Sequence, residues 1–173
     1  MPIGTLKNDL TTTTAAQQQD RADAEGKARV LIADDEARIR LALRACLEEA
    51  GYEVLEAADG LEAMDVVIHA APDLMILDLA MPNLDGVRTM DHLCGVHGQL
   101  KPRVIVLTAF ASGPAMLRTM GLGASAFLEK PVTPEVLRSA VRQVLAQPRE
   151  SDGGIPIDWT AVLWDETEEG RPN

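Results

Sequence analysis

Aromatic side chains are scarce in this chain of 173 residues, in which phenylalanine, tryptophan and tyrosine together make up 3%. A folded core must therefore be built from aliphatic residues. Cysteine is also rare, with only Cys46 and Cys94, which excludes a scaffold held together by several disulfides. Each cysteine falls on the apolar side of a predicted helix, so we expect both to be reduced core residues.

Long hydrophobic runs are absent as well. Pro72, Asp73 and Asp78 interrupt the most apolar stretch, so no segment reaches the roughly 18 residues that a membrane-spanning helix requires. The first residues lack the basic-then-apolar order of a secretory signal. We therefore expect a cytoplasmic protein without membrane insertion.

Positive charge is in short supply, because 16 lysines and arginines stand against 27 aspartates and glutamates, for a formal net charge of -11. A protein that binds nucleic acid needs a basic face, so this composition excludes nucleic acid as the partner. The imbalance is concentrated in residues 148–173, which hold seven acidic residues and two arginines.

Three parts follow one another along the chain. Residues 1–27, with a run of threonines and one of glutamines, are predicted to be disordered or frayed. Residues 28–147 are predicted to form one domain. Residues 148–173 form an acidic tail that contains Trp159 and Trp164. Three alternatives stay open for the apolar side chains of that tail: docking on the domain, binding a partner, or disorder.

Short apolar runs alternate with helical stretches in the domain. Strands are predicted at 30–34, 52–56, 74–78, 103–108 and 125–128. Five strands that alternate with five helices predict an α/β fold, in which a five-stranded parallel sheet carries helices on both faces.

Apolar periodicity predicts which side of each helix is buried. The inward stripe of the first helix is predicted to be Ile39, Ala42, Leu43, Cys46, Leu47 and Ala50. The second helix is predicted to bury Leu61, Met64, Val67 and Ile68, with Asp59 as its N-cap. The third and fourth helices are predicted at 84–97 and near 113–121. The fifth begins after Thr133, a predicted N-cap, and carries Val136 on its inward stripe.

Polar side chains stand where four of the predicted strands end. Asp34 and Asp35 follow the first strand, Asp78 ends the third, Thr108 ends the fourth, and Lys130 follows the fifth. The carboxyl edge of an open parallel sheet is where reactive groups collect. We therefore expect these five residues to form one site.

Three carboxylates held together repel one another, so such a cluster needs a cation, or one member must take up a proton. Carboxylate oxygens suit the magnesium ion, Mg²⁺, which also recruits phosphate oxygens. Asp78 could then attack an electrophilic phosphorus atom, with Lys130 as a fixed positive charge and the Thr108 hydroxyl as a hydrogen-bond donor to a phosphoryl oxygen. Phosphoryl transfer depends mainly on placement and electrostatics.

These residues resemble the receiver domain of bacterial two-component response regulators. The resemblance covers about 29–146 and rests on four motifs: Asp34-Asp35, Asp78-x-x-Met81-Pro82-x-x-Asp85-Gly86, Thr108-Ala109 and Lys130-Pro131. It implies a doubly wound, flavodoxin-like fold. Asp85 and Gly86 are expected to have a structural role rather than a place in the site.

The resemblance also implies a role for each site residue. Asp78 would be the phosphoacceptor. Asp35, Asp78 and the backbone carbonyl of Ala80 would bind Mg²⁺ directly, and Asp34 would act through water. Thr108 and Lys130 would contact the phosphoryl group, and Lys130-Pro131 is typically a cis peptide in this family.

A switch is implied as well. Thr108 would shift toward the phosphoryl group and Phe127 would turn inward behind it, which would alter a face formed by the fourth helix, fifth strand and fifth helix. Simple core packing of Phe127 is the alternative, and dimerisation through that face is also left open. Ala80 and Phe110 are apolar and cannot orient an attacking water, so we expect slow self-dephosphorylation.

The function that follows is a stand-alone response regulator that is phosphorylated by a sensor histidine kinase and signals through an unidentified protein partner. The alternative is a phosphorelay intermediate that passes its phosphoryl group to a histidine phosphotransfer protein. No enzymatic activity is expected beyond self-catalysed phosphoryl uptake and loss. A haloacid dehalogenase-like phosphatase is excluded, because it needs an aspartate where Ala80 stands.

Overall fold

One parallel sheet organises the chain in the computed structural model, which describes residues 26–96, 101–109 and 114–148. Its strands are β1 (Arg29–Ala33), β2 (Glu53–Ala57), β3 (Leu74–Asp78), β4 (Arg103–Thr108) and β5 (Ala126–Glu129). They lie in the order β2-β1-β3-β4-β5. The predictions for Phe110, for residues 1–25 and for nearly all of the acidic tail, including Trp159 and Trp164, lie outside the described residues.

Helices follow the strands in alternation: α1 (Ala37–Glu49), α2 (Gly60–Ala70), α3 (Gly86–Leu93), α4 (Pro114–Gly121) and α5 (Pro134–Ala146). Capping side chains mark where three of them begin. Asp59 caps α2, Asp85 caps α3 and Thr133 caps α5, each by accepting hydrogen bonds from backbone N–H groups of the first turn. The third helix is shorter than predicted, because Asp85 starts it only at Gly86 and it ends at Leu93.

The core consists of two layers, one on each face of the sheet, because successive strand residues point to opposite faces. Residues on one face pack with α1 and α5; they include Val30, Ile32, Leu43, Leu47, Leu74, Ile76, Ile105, Leu107, Leu137 and Val141. Residues on the other face pack with α2, α3 and α4; they include Leu31, Ala63, Val67, Met75, Leu77, Met90, Leu93, Val106 and Phe127. The predicted α/β fold, with helices on both faces of a parallel sheet, is confirmed.

The predicted stripe of α2 is wrong at two positions, because Leu61 and Ile68 are 61% and 59% exposed. This helix approaches the sheet through Ala63 and Val67, which are fully buried. The prediction relies on large apolar residues. It therefore places the buried side of the helix too far toward Leu61 and Ile68, because the closest contact with the sheet is made by the small side chain of Ala63. Ala42 and Ala50 of the first helix and Val136 of the fifth are likewise exposed.

The two cysteines differ in their surroundings. Cys46 is buried, as predicted, and burial raises the pKa of its thiol. Cys94 is exposed, so its prediction as a core residue is wrong; it lies just past Leu93, where α3 ends. Among the residues described, no helix combines the length and the apolarity that a bilayer crossing requires.

Candidate functional site

Strand register brings the predicted site residues to one edge of the sheet. Ala33 of β1 pairs with Leu77 of β3, so the next residue of each strand, Asp34 and Asp78, lies at the same level. On the other side of β3, Thr108 ends β4 opposite Glu129 of β5. Lys130 is the next residue, and its backbone N–H donates a 2.8 Å hydrogen bond to the Thr108 carbonyl.

Asp34, Asp35 and Asp78 form a carboxylate cluster, in which one oxygen atom from each lies within 4.8 Å of the others. Asp34 and Asp78 are only 1% and 5% exposed, whereas Asp35 faces solvent. Within the described part of the chain, this cluster is the one group of three or more acidic, histidine or cysteine side chains that could hold a metal ion. Its all-oxygen donor set suits a hard divalent cation.

Lys130 provides the positive charge of the site. Its Nζ lies 2.7 Å from Oδ2 of Asp34 and 3.1 Å from Oδ2 of Asp78. Burial by itself lowers the pKa of Lys130, but hydrogen bonds to Asp34 and Asp78 and their charges outweigh it, so the pKa is raised above its ordinary value of 10.5. The ammonium group therefore stays charged at neutral pH. The Lys130-Pro131 peptide is cis, as the family resemblance implies.

The loop between β1 and α1 is held by three hydrogen bonds. The Glu36 N–H donates a 2.9 Å hydrogen bond to Oδ1 of Asp34. Arg40 reaches back from α1, and its Nη1 donates to the backbone carbonyls of Asp34, at 2.7 Å, and Asp35, at 3.2 Å. Arg40 is not among the site residues predicted from the sequence. The only available signal was a basic residue in the first turns of the helix that follows the acidic pair.

The loop after Asp78 is packed closely against the end of its strand. The Ala80 N–H donates a 3.3 Å hydrogen bond to Oδ1 of Asp78, and the Gly86 N–H donates to the Leu79 carbonyl. A methyl group at Gly86 would overlap the Asp78 carbonyl oxygen and Cα of Leu79. Glycine is therefore required there by close approach of the backbone. Asp85 caps α3 and is not one of the three clustered carboxylates.

Thr108 and Phe127 lie on the same side of the sheet. Phe127 is 2% exposed and pairs with Val106 of β4. Val106 and Thr108 are two positions apart in one strand, so their side chains point to the same face. Phe127 therefore packs in the layer that lies beneath Thr108, with Val106 and Leu77.

Comparisons with known proteins agree with this geometry. Residues 30–142 match the family profile described as response regulator receiver domain. The transcriptional regulatory protein PdtaR of Mycobacterium tuberculosis is 39% identical over 130 residues, which are 75% of this chain and 62% of PdtaR. The sporulation initiation phosphotransferase F of Bacillus subtilis is 32% identical over 117 residues, which are 68% of this chain and 93% of that protein.

A solved structure gives the same result. The chemotaxis protein CheY4 of Vibrio cholerae superimposes with a TM-score of 0.65 at 33% identity, over 69% of this chain and 99% of the CheY4 chain. The profile match alone extends over more than half of the 173 residues. The chain therefore belongs to the response regulator receiver domain family.

Proposed function

We propose that the protein is a stand-alone response regulator, which accepts a phosphoryl group on Asp78 from a sensor histidine kinase. The observation that carries the proposal is the position of the Asp78 carboxylate. It lies beside two other carboxylates and 3.1 Å from the Lys130 ammonium group, at the open edge of the sheet.

Asp78 would act as the nucleophile. A carboxylate oxygen forms a bond to phosphorus while the bond from phosphorus to the donor's histidine nitrogen breaks, and that nitrogen leaves with the electron pair. The product is an acyl phosphate on Asp78. No general base is needed, because an ionised carboxylate carries no proton that must be removed.

Lys130 and Thr108 would hold the transferred group. The Lys130 ammonium group balances negative charge on the phosphoryl oxygens, since its pKa is raised and it remains protonated. The Thr108 hydroxyl donates a hydrogen bond to one of these oxygens. The adjacent ends of β4 and β5 bring the two residues close together, which supports this role.

Asp34, Asp35, Asp78 and the backbone carbonyl of Ala80 would hold Mg²⁺. When bound, this ion offsets negative charge on the phosphoryl group. The carboxylates have unequal freedom to act as ligands: Asp34 already accepts hydrogen bonds on both oxygens, from Glu36 and Lys130, whereas Asp35 faces solvent. This difference supports direct binding by Asp35, with Asp34 acting through water.

The output would be a change in protein binding. Phosphorylation draws Thr108 toward the phosphoryl group and lets Phe127 move behind it, which alters the face formed by α4, β5 and α5. The packing of Phe127 in the same layer as Val106 supports this coupling. The occupant of that face would be a protein partner or a second copy of the chain.

The test is intact-mass analysis after incubation with acetyl phosphate and Mg²⁺, in parallel with Asp78→Asn. We expect wild type to gain one phosphoryl group, and we expect no gain in the variant or when Mg²⁺ is removed by a chelator. An equal gain in Asp78→Asn would overturn the assignment of the acceptor.

A phosphorelay intermediate is the second candidate. The match to the sporulation initiation phosphotransferase F covers 93% of that protein, and this similarity favours a chain that passes its phosphoryl group onward. Incubation of the phosphorylated chain with a purified histidine phosphotransfer protein separates the two functions. Transfer to histidine supports the relay, whereas retention on Asp78 supports a terminal regulator.

A further inference from the structure

A hydrogen bond between the side chains of Asp59 and Asn83 joins the loop before α2 to the loop after β3. The family resemblance gives neither residue a role in the site. Nδ2 of Asn83 donates a 2.6 Å hydrogen bond to Oδ2 of Asp59. The other oxygen of Asp59 caps α2, where it accepts hydrogen bonds of 2.9 Å from the N–H groups of Leu61 and Glu62. Asp59 therefore divides its two oxygens between its own helix and the loop that follows Asp78.

A second contact lies directly beside the first. The Gly60 N–H donates a 3.2 Å hydrogen bond to the Leu84 carbonyl. A methyl group at Gly60 would overlap that carbonyl and the Thr89 hydroxyl. The start of α2 and the loop of residues 79–85 are thus in contact at two consecutive positions, Asp59 and Gly60. At Gly60 the contact leaves no room for a side chain.

The backbone of Asn83 is suited to this contact. Its φ of 62° lies in the left-handed region, which asparagine adopts more readily than most residues. The bond to Asp59 is charge-assisted, and such bonds are stronger than those between neutral groups. The pKa of Asp59 is lowered by the hydrogen bond from the Glu62 backbone and then by Asn83, which is the direction expected for an ionised acceptor.

Hydrogen bonds therefore hold the 79–85 loop in two places, at its base beside Asp78 and farther out at Asn83. Near the site, the Ala80 N–H is bonded to Asp78 and the Gly86 N–H to Leu79. At its far end, Asn83 is bonded to Asp59. Ala80, whose carbonyl is the expected metal ligand, belongs to the segment between these anchors.

We propose that Asp59 and Asn83 are a positioning pair, which holds the 79–85 loop so that the Ala80 carbonyl and the Asp78 carboxylate are aligned for the metal ion and the phosphoryl group. This inference rests on the proposed function. Neither residue touches the reacting atoms; the pair acts through the loop.

The chain allows a test by exchange of the two side chains. Asn83→Asp places two carboxylates at contact distance, which forces the loops apart. Asp59→Asn keeps the helix cap, because asparagine caps helices as well as aspartate does. The double variant restores one amide and one carboxylate in reversed order, with the same net charge as wild type.

Mg²⁺ affinity of the 173-residue chain is measured by calorimetric titration for wild type and the three variants. We expect Asn83→Asp to bind Mg²⁺ about tenfold more weakly, as other outer-shell changes do. Asp59→Asn keeps the helix cap but loses the charged acceptor for Asn83, so its affinity should lie between those of wild type and Asn83→Asp, and the double variant should return toward wild type. If the site does not move, the added carboxylate of Asn83→Asp would instead tighten Mg²⁺ binding. Weaker binding therefore indicates a loss of positioning, and tighter binding indicates an effect of charge alone.

Hydrogen exchange of the peptide that covers residues 79–85 is measured in the same four proteins without Mg²⁺. Faster exchange in Asn83→Asp, restored in the double variant, is the result expected if the pair holds the loop. Unchanged exchange and unchanged or tighter Mg²⁺ binding in Asn83→Asp would overturn the proposal. If wild type binds no Mg²⁺ at all, the proposed function fails, and the exchange measurement still decides whether the pair holds the loop.

Discussion

The ammonium nitrogen of Lys130 lies 2.7 Å from Oδ2 of Asp34, although 96 positions separate the two residues in the chain. The same nitrogen is 3.1 Å from Asp78. One amine therefore links the ends of β1, β3 and β5, and it forms ion pairs with two carboxylates that are almost fully buried. We expect this contact to stabilise the edge of the sheet as well as to serve the proposed chemistry of the site.

Replacement of this amine should destabilise the domain. Lys130→Met leaves the buried carboxylates of Asp34 and Asp78 without a counter-charge, so we expect the free energy of unfolding in chelator to fall by roughly 3 kcal/mol. Urea denaturation measures this change. Mg²⁺ should recover a large part of it, because the ion takes over the charge balance. Lys101→Met, at an exposed lysine, is the control, and an equal loss in both variants would contradict the prediction.

Arg40 should matter for metal binding although it is not a ligand. Arg40→Ala removes the hydrogen bonds that fix the carbonyls of Asp34 and Asp35, and we expect Mg²⁺ affinity to fall about tenfold. Arg38→Ala is the matched control, since Arg38 is exposed and carries the same charge. Calorimetric titration of both variants gives the comparison. If affinity rises equally in the two, charge rather than loop geometry governs the site.

Gly86 should not tolerate a side chain. Gly86→Ala forces a methyl group against the Asp78 carbonyl and the Leu79 backbone, so we expect a loss of about 1–3 kcal/mol in stability and slower phosphorylation. Gly121→Ala, at the end of α4 where no atom lies within 4 Å of the added carbon, should be close to neutral. Thermal unfolding of both variants tests the difference, and a stable Gly86→Ala protein would show that the loop can move.

Asp59 should make stability depend on acid pH. Its pKa is lowered from an ordinary 3.8 by the hydrogen bonds from Glu62 and Asn83. A depressed pKa means that the carboxylate stabilises the fold above its unfolded pKa, and that this contribution is lost as pH falls through the folded value. Thermal midpoints of wild type should therefore fall relative to those of Asp59→Asn below about pH 4. Parallel curves for the two proteins would rule out the contribution.

Ala80 should set the lifetime of the phosphoryl group. An apolar side chain at this exposed position cannot orient a water molecule, so we expect a half-life of minutes or longer on Asp78. Ala80→Asn introduces an amide that can hold water, and should shorten the lifetime by roughly an order of magnitude. Ala80→Val, which adds only apolar atoms, should leave it unchanged. Loss of radiolabelled phosphate gives the three rates, and a wild-type half-life of seconds would contradict the prediction.

The residues that the sequence reveals are those whose position follows from strand order. Three site residues end or follow strands of a parallel sheet: Asp34, Asp78 and Lys130. They meet at the carboxyl edge of the sheet, and this position does not depend on the conformation of the loops. Arg40 and the Asp59–Asn83 pair could not be predicted in this way, because their contacts depend on how particular loops fold. The error at Leu61 and Ile68 has another origin: small residues such as Ala63 contribute little to an apolar pattern, yet they determine which side of a helix can approach a sheet.

The strand that carries Asp78 lies at the centre of the sheet. All five residues of β3 are buried, and it is hydrogen-bonded to β1 on one side and β4 on the other. Central strands of this kind belong to the part of a protein that opens only when the whole domain unfolds. Asp78, the proposed acceptor, therefore stands at the end of a strand that is expected to open only with the whole domain. If Asp78 is phosphorylated, we expect the resulting displacement to occur toward the edge of the sheet, where β5 has a single neighbour.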